Sequence, residues 1–544
     1  MGQGAAKSEF KDISSRAEKR VGKIAITGRY HRAPRKLTND YKLTQTVLGS
    51  GYNGQVRLAK SIATDTEVAV KAFKLSGVGK DKKTELQSEC EIFLAMDHPH
   101  VARLVDVYES EEMLHLVMEC MRGGELFKRV VDQKRFSEKD AAEATWQMLL
   151  AVNYLHAHGI VHRDIKLENW LYETPQSNHL KLIDFGFSKI WQPNTKMAAS
   201  CGTLAYVAPE VLRQSYTSQC DMWSLGVTVF IVIFGYMPFY GSEENQVKAI
   251  KEGRYKEKPE VWGKVSSKAQ NFVRRLLVVD PDKRMTAEAA LKHEWILERE
   301  KLEVGNLNQD IVDALCSFGK ASHFRKACLS MMAWSLTNEE RSKVRKAFIE
   351  MDTDHTGAIT LGEFKKVLES KFNLKDDAIV EAFKALDMDH TEEIHYSEFL
   401  AAMVASRIQL HDDLLLTAFK RFDVSDTGYI TKEDLRDVLG ETYEGAEIED
   451  LIGEADFAGD GRISYQEFIE YVKGNNAKHV HTEAAVRIID NVIREENGVD
   501  RDKQMSMRNS GLKNSAESIT HPPPADKGKS GKNGKAVGCA CVIS

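Results

Sequence analysis

His162-Arg163-Asp164-Ile165-Lys166-Leu167-Glu168-Asn169 is the stretch on which the reading of this 544-residue chain turns, because it fits the pattern H-R-D-x-x-x-x-N. Downstream stand Asp184-Phe185-Gly186 and Ala208-Pro209-Glu210; upstream stand Gly49-Ser50-Gly51-Tyr52-Asn53-Gly54-Gln55-Val56 and Val68-Ala69-Val70-Lys71. Any one of these could arise by chance. Together, in fixed order and at compatible separations, they mark residues 41–297 as one globular unit with a common chemistry.

The glycines at 49, 51 and 54 let backbone amides approach phosphate oxygens with no Cβ in the way. A dinucleotide fingerprint has similar glycines but needs a helix next. Here Val56-Arg57-Leu58 and then Glu67-Val68-Ala69-Val70-Lys71 alternate as two strands of a hairpin. Lys71 ends the second strand, where its ammonium can reach α- and β-phosphates. On the helix that follows, Glu89 and Glu91 are both candidate partners on different faces, and register favours Glu89.

On these motifs residues 41–297 resemble the eukaryotic protein kinase superfamily. The resemblance implies an α+β bilobal protein kinase fold with ATP in the cleft and a catalytic set of Lys71, Glu89, Asp164, Lys166, Asn169 and Asp184. Asp164 would accept the substrate hydroxyl proton, Lys166 would offset γ-phosphoryl charge, and Asn169 and Asp184 would hold Mg2+. ATP would contact Leu48, Gly49, Ser50, Gly51, Tyr52, Asn53, Gly54, Val56, Ala69 and Lys71, with Met118 and Glu119 at the adenine hinge. Asp221 and Arg284 would be scaffold. Lys166 with Thr203 resembles serine/threonine rather than tyrosine kinases. Glu125 and Glu168 stand where related enzymes prefer basic protein substrates, although Glu125 could equally bond the ATP ribose. Residues 187–200 contain no Asp or Glu, so either phosphorylated Thr195 or Ser200 pairs with Arg163, or water does.

A second periodicity begins at residue 341. Twelve-residue loops start at Asp352, Asp387, Asp423 and Asp456, each flanked by apolar residues at helical spacing. Calcium needs six to eight oxygens, drawn from loop positions 1, 3, 5, 7, 9 and 12 around a glycine at 6. Loop one supplies Asp352, Asp354, Thr356, the Ala358 carbonyl, Thr360 and Glu363 around Gly357. Loop two supplies Asp387, Asp389, Thr391, the Glu393 carbonyl and Glu398, but Glu392 replaces the glycine and His395 fills position 9. Loop three offers Asp423, Ser425, Thr427, the Tyr429 carbonyl and Thr431, with Asp434 in place of the closing Glu. Loop four offers Asp456, Asp460, the Arg462 carbonyl, Ser464 and Glu467, with Ala458 at position 3.

Between the two units, residues 298–340 carry Ile311, Leu315, Phe318, Lys320, Phe324, Arg325, Lys326, Cys328, Met331, Met332 and Leu336, an apolar and basic pattern like a calmodulin target, with a plain linker helix as the alternative. Kinase, junction and an all-α calmodulin-like EF-hand unit (341–473) in this order resemble the calcium-dependent protein kinases of plants and alveolates. That resemblance implies a junction, Lys320 included, that obstructs the cleft until calcium-loaded loops capture it. A catalytically dead calcium-dependent scaffold is the alternative, and it would need Lys71, Asp164 or Asp184 to be missing.

Composition agrees with this multidomain reading: 42% hydrophobic and 29% charged residues allow buried cores, and a net charge of −6 excludes a strongly basic nucleic-acid footprint. The chain is expected to act as a monomer on protein substrates. Residues 1–40 form a basic arm that could touch anionic lipid, and 474–544 form a mostly polar tail with one short amphipathic segment, 486–493. The tail ends Cys541-Val542-Ile543-Ser544, a C-a-a-X box whose serine points to farnesyl, with Cys539 a palmitoylation candidate. Two such anchors, or one with the nearby lysines, would hold the protein at the cytosolic membrane face. Gly2 is a weaker myristoylation candidate because Ala6 stands where Ser or Thr is wanted.

Overall fold

The computed structural model describes residues 13, 15–18, 23–51, 54–132, 136–186, 188–190, 195–197, 203–299, 309–372, 376–404, 408 and 410–473. Tyr52, Asn53, Ser200, the 486–493 segment and the lipidation candidates Gly2, Cys539 and Cys541 lie outside them. A six-stranded sheet forms the small lobe, from β1 (Tyr30–Arg32), β2 (Tyr41–Gly51), β3 (Gly54–Ser61), β4 (Glu67–Lys74), β5 (Leu104–Glu109) and β6 (Met113–Glu119), in the order β1-β5-β6-β4-β3-β2. The period-two alternation of β4 buries Val68, Val70 and Phe73. β2 and β3 make the hairpin that carries the glycine loop, with Gly51 opposite Gly54.

Where it is described, the basic arm packs against the small lobe. Helix α1 (Lys23–Thr27) leads into β1, which pairs parallel with β5. Arg29 is fully buried, donating to the Leu104 and Leu94 carbonyls at 2.8 and 3.0 Å, and Arg35 chelates Asp40 at 2.9 and 3.0 Å.

Helix α2 (Lys80–Leu94) crosses the small lobe, and the large lobe is built on α3 (Glu138–Ala157) and α4 (Gln219–Phe234). α4 is apolar all round, and nearly all of it is buried, as such a helix must be. The junction folds as two helices, α5 (Gln309–Gly319) and α6 (His323–Ser335), followed by α7 (Asn338–Met351), the first helix of the repeats. Their apolar stripes, including Ile311, Leu315, Phe318, Phe324, Met331 and Met332, share one core with the EF-hand helices. The described part of the junction therefore lies in the sensor's grasp rather than in the cleft, and Lys320 is exposed just beyond α5, where Gly319 abuts Ala382 and Ala385 of the sensor. Calcium loops pair through short antiparallel strands, β7 (Ala358–Thr360) with β8 (Glu393–His395), and Tyr429–Ile430 with Ile463–Ser464.

The sensor docks behind the cleft. Trp334 of α6 is stacked by two guanidinium groups, Arg29 at 3.7 Å and Arg103 at 4.5 Å from its ring centre, and Arg103 also donates to the Ala333 carbonyl at 2.7 Å. Arg421 of the sensor donates to the Gly28 carbonyl at 2.8 Å and pairs with Asp106 at 3.2 Å. Arm, small lobe and sensor thus meet at one buried point. Trp334→Ala is expected to cost this docked arrangement about 3 kcal/mol or more. Hydrogen exchange of the β1 amides checks it: faster exchange is the expected result.

Candidate active site and calcium loops

β4 presents Lys71 and α2 presents Glu89, whose carboxylate accepts from Lys71 Nζ at 2.7 Å. Glu91, on a different face of the helix, pairs with Arg16 at 2.7 Å. Lys71 also reaches Asp184 Oδ1 at 3.1 Å. Burial alone would lower the Lys71 ammonium, yet the two carboxylates hold it above its ordinary value. Burial likewise pushes Asp184 up, but Lys71 and the Gly186 amide outweigh it and keep the carboxyl below its usual range. Asp184 takes a left-handed φ of +61°, and Phe185 behind it packs on Phe93 and His162 with ring centres 5.1 and 5.3 Å apart.

The catalytic loop is held from below. Asp221 accepts the backbone amides of His162 and Arg163 at 2.9 and 2.8 Å and the His156 ring at 3.0 Å. Arg163, at φ +68°, sends its guanidinium to Tyr216 Oη at 3.3 Å. Asp164 Oδ2 lies 2.8 Å from Lys166 Nζ, and its Oδ1 accepts from Thr203 at 3.3 Å. Lys166 Nζ in turn reaches Thr203 Oγ1 at 3.4 Å, so the three side chains form one polar cluster. Glu210 and Arg284, both buried, close the lobe with a bidentate pair at 2.5 and 3.0 Å. Thr195 is exposed.

Asn169 donates from Nδ2 to the Asp164 carbonyl at 2.8 Å, which leaves its Oδ1 buried without a hydrogen-bond partner. The Asn169 backbone carbonyl accepts from the amide of Ile183, the residue before Asp184, at 2.9 Å; a buried amide oxygen and a carboxylate are the hard donors that Mg2+ accepts, so these residues fit the ion. Leu48, Val56, Ala69, Met118, Met121, Leu171 and Ile183 wall the cleft above Lys71, Glu89 and Asp184. Met121, Leu171 and Ile183 went unrecognised in the sequence because apolar residues without a polar motif read as ordinary core. Glu119 also borders the cleft, but its carboxylate is taken: it accepts from Lys181 and from the Arg103 amide, both at 2.7 Å, and pairs with Arg341 of α7. Burial would raise Glu119, yet Arg341 and Lys181 bring it down to about 2.

In the sensor, Asp352, Asp354 and Glu363 converge with their ligand atoms within 4.8 Å, and so do Asp387, Asp389 and Glu398. Both trios fit Ca2+ by number and kind of oxygen. No comparable trio of carboxylates converges at loops three and four among the described residues. Asp423 and Asp434 of loop three are tied to loop amides, as are Asp456 and Glu467 of loop four, where the amide of Ala458 donates to Glu467 at 2.8 Å. Asp460 pairs with Arg462 at 2.9 Å. Glu392 adopts φ +64° in the place of glycine, a strain of order 1 kcal/mol. Gly357 is at φ +88°, and a Cβ there would clash with the Tyr154 ring of α3, so loop one needs glycine both to turn and to dock.

Residues 42–296 match the protein kinase domain family, and residues 341–404 and 412–473 match the EF-hand domain pair family. The chain is 34% identical to calcium-dependent protein kinase 34 of Arabidopsis thaliana over 436 residues, covering 79% of this chain and 83% of the relative. It is 35% identical to calcium-dependent protein kinase 11 of Oryza sativa subsp. japonica over 437 residues, 79% of this chain and 76% of the relative. Against calcium-dependent protein kinase 5 of Plasmodium falciparum the figure is 32% over 452 residues, 81% and 79%. With Asp164 placed as it is, Asp164→Asn is expected to lower kcat about 10²–10⁴-fold with ATP affinity unchanged, as measured by single-turnover kinetics beside a nucleotide-binding titration.

Proposed function

Because this chain belongs to the calcium-dependent protein kinases, we infer that it transfers the γ-phosphoryl group of ATP to serine or threonine hydroxyls of proteins when calcium loads its sensor. The single observation that carries the reading is a physical link between the two halves: α7, which leads into calcium loop one, sets Arg341 on Glu119 and Arg345 on Glu173 at the back of the ATP cleft.

In this mechanism Asp164 orients the acceptor hydroxyl and takes its proton as the oxygen attacks the γ-phosphorus. Lys166 offsets the charge that develops on the transferred group, and Thr203 keeps Lys166 and Asp164 in register. Lys71, steadied by Glu89, holds the α- and β-phosphates. Asn169 and Asp184 would hold Mg2+, which neutralises phosphate charge when bound.

Control follows from where the junction rests. With α5 and α6 packed in the sensor, neither helix lines the cleft, and the Lys71–Glu89 pair that phosphoryl transfer needs is formed. We propose that calcium-free loops release the junction and that its basic face, Lys320 and Arg325 foremost, then obstructs the cleft. In the captured arrangement Arg325 donates to the Tyr471 carbonyl at 3.0 Å and its neighbour Lys326 pairs with Glu444 at 3.1 Å, so the sensor holds part of this basic face. Glu125 and Glu168 favour substrates with arginine or lysine near the acceptor. The C-terminal Cys541, with Cys539, gives the kinase a membrane address; no helix among the described residues is long and apolar enough to cross a membrane.

Phosphorylation of a basic peptide tests the control. Activity is expected to rise at least about tenfold with calcium, and Glu363→Gln combined with Glu398→Gln should abolish the rise; equal activity with and without calcium would contradict it. A chain ending after Arg299 should have more calcium-free activity than the full-length protein. Cys541→Ser should move the protein from the membrane to the soluble fraction of expressing cells, and an unchanged partition would remove the anchor from the account.

A further inference from the structure

We propose that His158, Glu393 and His395 form a transition-metal site of the zinc class that bridges the catalytic lobe and the sensor. His158 caps the C-terminus of α3 in the large lobe. Glu393 and His395 stand at alternate positions of β8, so both face outward while Ile394 between them is fully buried in the sensor core. Docking brings the two parts together: one ligand atom from each of the three residues lies within 4.8 Å of the others, and all three are half-buried. The His158 and His395 ring centres are 6.4 Å apart.

Three chemical features favour this reading. His158 Nδ1 lies 2.8 Å from the Tyr154 carbonyl. A carbonyl only accepts, so the proton is on Nδ1 and the lone pair is on Nε2, the device that orients metal-binding imidazoles. Two imidazoles and one carboxylate suit zinc with a water in the fourth position, whereas calcium wants oxygens alone. Tetrahedral zinc with ligands at about 2.0–2.1 Å needs ligand atoms about 3.3 Å apart, so the trio must close by no more than about 1.5 Å.

His395 also sits at the edge of calcium loop two, with Nε2 3.2 Å from Thr391 Oγ1 and 3.5 Å from Asp389 Oδ2. Its ring separates an oxygen cage from the mixed nitrogen–oxygen site. Zinc would therefore pin loop two to the catalytic lobe independently of the calcium state of loop one.

Full-length untagged protein in saturating calcium, titrated with Co2+ as a coloured stand-in and then with Zn2+, tests the proposal. One equivalent of Co2+ should give the intense visible bands of a tetrahedral site, which Zn2+ abolishes by displacement. His158→Ala and His158→Gln should each weaken Co2+ binding roughly tenfold or more while calcium binding in the same samples stays intact, which reports that the variants are folded. Glu398→Gln, which breaks the loop-two oxygen cage, should leave the Co2+ bands in place. The proposal is overturned by the absence of tetrahedral bands, by unchanged Co2+ affinity in both His158 variants, or by bands that vanish with Glu398→Gln, since the last two would put the metal inside loop two alone.

Discussion

A buried ladder of charge, Arg341–Glu119–Lys181–Glu173–Arg345, is the constraint on which this architecture depends. Lys181 lies 2.7 Å from Glu119 and 3.8 Å from Glu173, and Arg345 lies 2.8 Å from Glu173. Burial, with Arg341 beside it, pulls the Lys181 ammonium down to about 7, so it is the weakest cation of the set. α7 supplies the two guanidinium groups that, with Lys181, balance the carboxylates of Glu119 and Glu173. Such ladders add little net stability, because desolvation consumes most of the Coulomb gain, but a misplaced partner leaves a buried charge unpaired at a cost of several kcal/mol. The ladder therefore fixes register, and under the proposed calcium control a modest bias would favour or disfavour it.

That bias has a short route. Calcium loop one follows α7 directly, and its glycine lies against Tyr154 while Asn153 donates to the His355 carbonyl at 2.6 Å. Asp97, at the edge of the small lobe, accepts the Ser397 amide at 2.7 Å, so the helix after loop two is tied in as well. Loops one and two, the pair whose carboxylates converge, both sit against the kinase. The arm completes the frame by wedging Arg29 between Trp334 and the small-lobe carbonyls.

Much of this was legible in the sequence, and the part that was not has a physical reason. Kinase motifs are legible because phosphate, magnesium and proton transfer each demand a particular side chain at a particular place. Helix register separated Glu89 from Glu91 for the same reason. The calcium loops were readable one ligand at a time, down to the strained Glu392. What the sequence did not disclose is which surfaces meet. Glu119 read as a hinge residue because its backbone position is local, whereas its carboxylate answers Arg341, far along the chain. The arm's basic residues could touch lipid as far as their own sequence tells, and only a tertiary partner such as Trp334 shows that Arg29 is buried. The junction's apolar-basic pattern fits both a cleft and a sensor, and nothing in its own residues decides between them.

A double-mutant cycle on the calcium concentration for half-activation, using Glu119→Gln, Arg341→Met and the pair, tests the central claim that the sensor reaches the cleft through this ladder. The account predicts that the two changes are strongly non-additive, with a coupling of about 1 kcal/mol or more; additive effects would contradict it.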